Sequence, residues 1–260
     1  MPAFATPEPI TATVTVAGAR LRVAASDRAD TEVLVEPVSK ASPSDLKVAA
    51  RTKVAFAGGQ LTVKTTKSGD KDGSVAITIG LPAGSGLVAY LAHSSVHAEG
   101  PLGECDLHLA SGRVQLDRIG TLQASISAGE VAVGRIDGSA SIQSRAGQIR
   151  IGRAAADLEL SGADGSLDID RADGSVTVTA AGSPIRIGRL TRGRAKLMNA
   201  SGNIEIGISE DTAASVEATS ERGSVRNSVP SPAGPGMSGS TLAVRARTRH
   251  GDIIIYHAAS

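Results

Sequence analysis

The sequence predicts an all-β fold, a single-stranded right-handed β-solenoid whose coils take about 18 residues and two strands each. Three observations predict it. The stretch Leu122–Arg189 reads LQASISAGEVAVGR, SASIQSRAGQIRIGR, DLELSGADGSLDIDR and SVTVTAAGSPIRIGR. In each unit an alternating segment meets a small or glycine-bearing turn, and a second alternating segment ends in Arg. Apolar residues also hold fixed slots. Val114, Val131, Ile149, Leu167 and Ile185 recur at spacings of 17 and then 18, with Leu116, Val133, Ile151, Ile169 and Ile187 two positions on. Two apart means one face of a strand. Finally, the residue between each such pair should meet its equivalents in neighbouring coils. That row reads Gln115, Ala132, Arg150, Asp168, Arg186, Glu205, Arg226, Asp252, and from Arg150 its sign alternates, as cross-strand pairing favours.

Taken in order, residues 1–9 carry three prolines and read as an irregular lead-in. Ile10–Val16, Leu21–Ala24 and Glu32–Val38 are short alternating strands with turns at Gly18 and around Asp27–Asp30. Val48–Phe56, Gln60–Thr66 and Ser74–Leu81 continue as strands; Gly58-Gly59 signals a hairpin and Lys67–Gly73 a polar loop tip. Residues 1–82 lack the clean period. They read as irregular first coils or a cap of the same domain, since a solenoid end needs cover.

Residues 83–260 read as the regular solenoid, broken by a Pro/Gly/Ser loop at 230–240. Leu87, Ala89 and Leu91 precede Cys105, Leu107 and Leu109 by 18, and Val96 precedes Val114 by 18. The first segments align Leu122, Ala140, Leu158 and Val176. Ile204 and Ile206 follow Ile185 and Ile187 at 19, Val225 follows at 21, and Val244 with Ile253 and Ile255 reads as the last turn. Lys196, Glu217 and Arg245 alternate in sign on the first-segment row. Ile254 opposes its two neighbours, so Ile253–Tyr256 is apolar on both faces and is the candidate for end-to-end or edge self-association. No segment carries a helical period of useful length.

Composition narrows the function classes. Charge is balanced, with 27 basic and 26 acidic residues, so no bulk field recruits nucleic acid or an anionic surface. Aromatics are 2% of the chain, too few for glycan platforms or for stacking single-stranded nucleic acid. No run of 18 apolar residues spans a membrane, and the N-terminus lacks a basic n-region, so a cytoplasmic location is expected.

Candidate sites are few. Arg118, Arg135, Arg153, Arg171 and Arg189 recur at the exit of the second strand and form a candidate anion-binding ladder. The plainer reading is a solvated corner neutralised by Asp117, Asp137, Asp170 and Asp173. Asp164, Asp168, Asp170 and Asp173 invite calcium, but Asp168 is expected to pair with Arg150 and Arg186, and Asp-Gly is turn chemistry. His93, His97 and His108 with Glu99 and Cys105 suggest zinc by proximity; the alternation sends His97 and His108 outward from different strands and Cys105 inward. No nucleophile elbow, phosphate loop or dinucleotide fingerprint is present, so no catalytic residue, metal or cofactor is assigned.

The opening PEPITATVTVAGARLRVAASDRADTEVLVEP, the central VAITIGLPAGS, the turns ASGRVQL, SAGEVAV, RAGQIRI and ASGNIEI, and the closing RARTRHGDIII resemble the bacterial putative-adhesin family. This is a β-strand-repeat domain of unknown function common in actinobacteria. The resemblance runs from Pro7 to Tyr256. It implies a β-solenoid and no established enzymatic activity, so no site residue is carried over. The expected function is a non-enzymatic scaffold or interaction module with a protein partner. The alternatives are a carbohydrate-active β-helix enzyme, a glycan-binding adhesin, or a self-assembling bactofilin-like structural protein.

Overall fold

Alternating apolar residues give each strand one face to bury, and strands at constant spacing bury it by laying each coil on its neighbour. The computed structural model describes residues 2–65, 73–230 and 241–258, and the chain falls into two compact units, Met1–Val131 and Ala132–Ser260. Both are built of stacked, largely parallel strands in an open all-β solenoid architecture. The loops expected at Lys67–Gly73 and 230–240 lie outside the described residues, except Gly73 and Pro230. Among the described residues no helix is long and apolar enough to cross a membrane.

The first unit contains β1 (Ala3–Ala5), β2 (Thr11–Ala17), β3 (Ala19–Ser26), β4 (Asp30–Pro37), α1 (Pro43–Arg51) and β5 (Lys53–Ala57). It continues through β6 (Gln60–Lys64), β7 (Val75–Pro82), β8 (Gly86–Ala92), β9 (Ser94–Leu109) and the first part of β10 (Gly112–Ile136). The 18-residue register is present: Leu87 pairs with Cys105, Ala89 with Leu107 and Val96 with Val114, all in parallel and all buried.

Coil order departs from chain order. β2 lies between β6 and β8, and β3 between β7 and β9, so residues 11–26 form an interior layer. The outer sides of β6 and β7 are covered by antiparallel strands, with β5 on β6, β4 on β7 and β1 on β4. Gly58 and Gly59, at φ 56° and 74°, make the β5–β6 hairpin turn.

Two expectations fail here. The lead-in holds β1, whose Phe4 stacks on Phe56 at 5.0 Å between ring centroids. The segment expected as a strand from Val48 is helical up to Arg51. Its start is well specified: the Ser42 hydroxyl accepts from the Asp45 N–H at 3.3 Å, and Pro43 opens the first turn. The buried Asp45 carboxylate then ties the helix to the flanking chain, accepting from the N–H groups of Ser39 and Ser74, both at 2.9 Å.

The second unit comprises β11 (Ala140–Ala154), β12 (Leu158–Ala172), β13 (Val176–Ala180), β14 (Ile185–Leu190) and β15 (Gly193–Ser201). It ends with β16 (Ile204–Ser209), β17 (Ala213–Arg222), β18 (Val225–Asn227), β19 (Thr241–His250) and β20 (Ile253–Ala258). Ile149, Leu167, Ile185, Ile204 and Ile253 stack in one register column and are 6% exposed or less.

Here too the coils exchange order. β19 lies between β15 and β17, and β20 between β16 and β18. Residues 241–258 are therefore an interior layer, and residues 213–227 take the outside. This corrects the reading of Ile253–Tyr256 as a terminal strand with a free edge for self-association. The reason is burial: Ile253 and Ile255 are fully buried, whereas Val225 in the outer coil is 42% exposed. Enclosing a large aliphatic side chain is worth about 1.5–3 kcal/mol, so the more apolar coil takes the enclosed place.

The charge rows follow the true order. Arg150, Asp168, Arg186 and Glu205 do alternate across adjacent strands; Asp168 lies 3.5 Å from Arg150 and 2.9 Å from Arg186. Beyond Glu205 the neighbour is Ile254 and then Arg226, so Asp252 is not in this row. It sits at the corner instead, where its carboxylate accepts from the Ser224 N–H at 2.8 Å. Likewise Arg245 stands between Lys196 and Glu217, so the expected Lys–Glu–Arg alternation becomes Lys–Arg–Glu.

At some corners coils follow one another at a single strand spacing only because a side chain is missing. Gly165 has φ 129°, and a Cβ there would fall 1.9 Å from the Gly147 carbonyl oxygen. Gly165→Ala should cost about 2–4 kcal/mol in a denaturant titration. Gly162→Ala, whose Cβ would meet nothing nearer than 3.7 Å, should stay within about 1 kcal/mol. Coil order has its own check. Cysteines at Glu205 and Ile254 should oxidise to a disulfide, and cysteines at Glu205 and Arg226 should not, because β20 lies between them.

Candidate functional site

The predicted ladder exists in part as a register column. Arg153, Arg171 and Arg189 are direct partners on adjacent strands, while Arg118 has Pro101 as its register partner in the first unit. The corner is an ion-pair network. Arg135 donates to Asp137 at 2.5 Å. Arg153 and Arg171 both donate from Nε to the Asp173 carboxylate at 2.8 Å, one to each oxygen, and the Thr191 hydroxyl adds a third bond at 3.1 Å. Arg192 bonds the Asp173 carbonyl. Asp173 is buried. Burial pushes its carboxyl up, but the bonds from Arg171, Arg153 and Thr191 outweigh that and hold it below its usual value.

The other clusters are likewise committed to structure. Asp168 serves Arg150 and Arg186, as the sequence suggested, and Asp170 lies 3.8 Å from Arg186. His97 pairs with Glu99 at 2.9 Å, and Glu99 also takes Arg22 at 3.0 Å. His93, at φ 49°, shares a hydrogen bond between its Nδ1 and the Ser111 hydroxyl. Cys105 faces inward with no exposed surface, and burial pushes its thiol up to about 12. A thiol so placed is neither nucleophile nor ligand at neutral pH. Among the described residues no group of three His, Cys, Asp or Glu is placed to hold a metal ion.

Sequence reasoning missed one constellation. On the outer face of the first-strand sheet, register aligns Thr15, Tyr90, His108 and Ser125 across β2, β8, β9 and β10. The Tyr90 and His108 rings are parallel to within 2° and 4.6 Å apart between centroids. His108 Nε2 lies 3.3 Å from Asp106 Oδ1. Tyr90 is 44% exposed. Beside this pair lies an open surface depression of about 540 Å³, bordered by Ala17, Ala92 and Ala110 and by the hydroxyl residues Thr15, Thr65, Ser125 and Ser127. The signal was present in the 18-residue spacing of Tyr90 and His108, which puts their rings on neighbouring strands.

A family model described as Toastrack DUF4097 matches residues 12–255. No curated protein matches the chain. Among solved structures, a putative adhesin from Bacteroides fragilis aligns over 98% of this chain and 95% of its own, at 11% identity and a TM-score of 0.45. Putative adhesins from Parabacteroides merdae and Parabacteroides distasonis align over 99% and 98% of this chain and 95% of their own. Both are 11% identical, with TM-scores of 0.40 and 0.38.

Asp173 yields a pH prediction. A carboxyl whose folded pKa is lowered adds stability that is complete above its unfolded value, about 3.9, and is lost as pH falls through the folded one. Asp173→Asn should therefore cost about 2–3 kcal/mol at neutral pH, leaving Arg153 and Arg171 without their shared acceptor. In urea titrations the gap between parent and variant should hold from pH 8 to about 5 and close below about 4.

Proposed function

The chain belongs to the Toastrack DUF4097 family, and on that basis we propose that it is a non-enzymatic interaction module that binds its partner at the Tyr90–His108 shelf. The carrying observation is that shelf: an exposed, stacked ring pair bordering an open depression of about 540 Å³ on a regular sheet face. Exposed aromatics beside a concave surface are what binding sites present. The residues around it suit contact more than turnover. Asp106, His108 and Ser125 have the makings of a relay, but among the described residues no hydrogen bond joins His108 to Ser125. The charged corner is committed to structure, since Arg153 and Arg171 share the Asp173 carboxylate.

A second reading has one observation in its favour. β17 is a ten-residue strand at the outside of its unit, paired with β19, and its inward residues Val216 and Ala218 are only half-buried. Such an edge can take another strand, as in self-assembling proteins. Sedimentation equilibrium separates the two: an assembling protein gains mass with concentration, and a module of the first kind does not.

The shelf reading is tested by affinity capture from the native cell with tagged wild-type and Tyr90→Ala protein, both checked for folding by circular dichroism. The expected outcome is a partner retained by wild type, depleted at least about tenfold by Tyr90→Ala and recovered with unchanged mass. Equal capture by both proteins, or a chemically altered partner, would refute it.

A further inference from the structure

The ring pair has two outer faces, and both look onto small residues. Next to Tyr90 on the side away from His108 stands Thr15, and next to His108 on the side away from Tyr90 stands Ser125. Adjacent strands are about 4.8 Å apart. A threonine or serine rises much less from the sheet than a ring does, so the upper part of each outer face stands clear of its neighbour. Alongside, Ala17, Ala92 and Ala110 border the depression with methyl groups. A flat, partly apolar ring can lie there in contact with an aromatic face while hydroxyls on either side offer donors and acceptors.

Charge selects among such rings. None of the described residues bordering the depression is Lys, Arg, Asp or Glu. Nucleotides and single-stranded nucleic acid also stack on aromatic faces, but they require a positively charged track for the phosphates. Lys64 follows Thr15 in the same register row and Asp106 lies 3.3 Å from His108, so single charges of both signs stand at the margin rather than a track of one sign. An uncharged sugar ring has what the site answers: C–H faces for the aromatic surface and an equatorial rim of hydroxyls for Thr15, Ser125 and Ser127. The depression is within the range that holds small ligands, about 300–1,000 Å³.

We propose that the Tyr90–His108 shelf is a subsite for an uncharged carbohydrate, an inference that rests on the shelf being the binding surface of a non-enzymatic module. The experiment is saturation-transfer difference NMR on the full chain with cellohexaose, chitohexaose and maltohexaose. Adenosine and a sulfated heparin hexasaccharide serve as the aromatic and anionic comparators. At least one neutral hexaose should show transfer to its ring C–H protons. The chain has two tyrosines and no tryptophan, so tyrosine emission should change in the same titration. Binding should fall about tenfold or more in Tyr90→Ala and persist in Tyr90→Phe. It should also weaken in Ala110→Leu, which fills the depression from an exposed position and leaves the ring pair in place. Transfer to adenosine or heparin alone, to none of the five probes, or to a hexaose equally well in Tyr90→Ala, overturns the carbohydrate assignment. In each of those cases the capture experiment still decides whether the shelf binds a partner at all. A hexaose that binds and is shortened on long incubation keeps the ligand class and overturns the non-catalytic reading.

Discussion

In-register parallel stacking is the constraint on which the remaining structure depends. Once equal slots on successive coils lie one strand spacing apart, every side chain acquires its equivalents as neighbours. Ile149, Leu167, Ile185, Ile204 and Ile253 become one continuous interior column. Where corners pack backbone on backbone a side chain cannot fit, which is why Gly165 sits over Gly147 and Gly251 over Gly202. Charges repeated down a column would repel, so they alternate or share a counterion. Asp168 between Arg150 and Arg186 shows the first solution, and Asp173 between Arg153 and Arg171 the second.

What the sequence made legible follows from the same constraint. Positions 18 apart could be identified as neighbours because alternation and period agree there, and Leu87 on Cys105 or Ile149 on Leu167 needed no coordinates. Coil order was not legible. Periodicity states which slots are equivalent, not which coil lies against which, and the alternating signs through Arg226 and Asp252 supported the wrong neighbour. The clue was energetic: Asn227 makes a poor interior residue beside Ile255. The helix at Pro43–Arg51 was missed because nine residues carry little periodicity, although Ser42, Pro43 and Asp45 spell its start.

The shelf was overlooked for a different reason. Scarcity of aromatics argues against ring stacking, yet one tyrosine suffices when register sets a histidine ring parallel to it. Regular sheets offer few concavities, so a site on one arises where a bulky row borders a row of small residues. Tyr90 and His108 beside Ala92 and Ala110 meet that description. The ladder sets the two rings side by side and stacked without a ligand, and such preorganisation reduces the conformational entropy lost on binding.

The enclosure of residues 241–258 between two other coils also bears on how the polypeptide is made. During synthesis residues 213–227 leave the ribosome first, while the layer that seats them has yet to be translated. The second unit therefore cannot close progressively as it emerges; its outermost winding waits for a later one to slot in beneath it. Release of those later residues is the event that lets assembly finish.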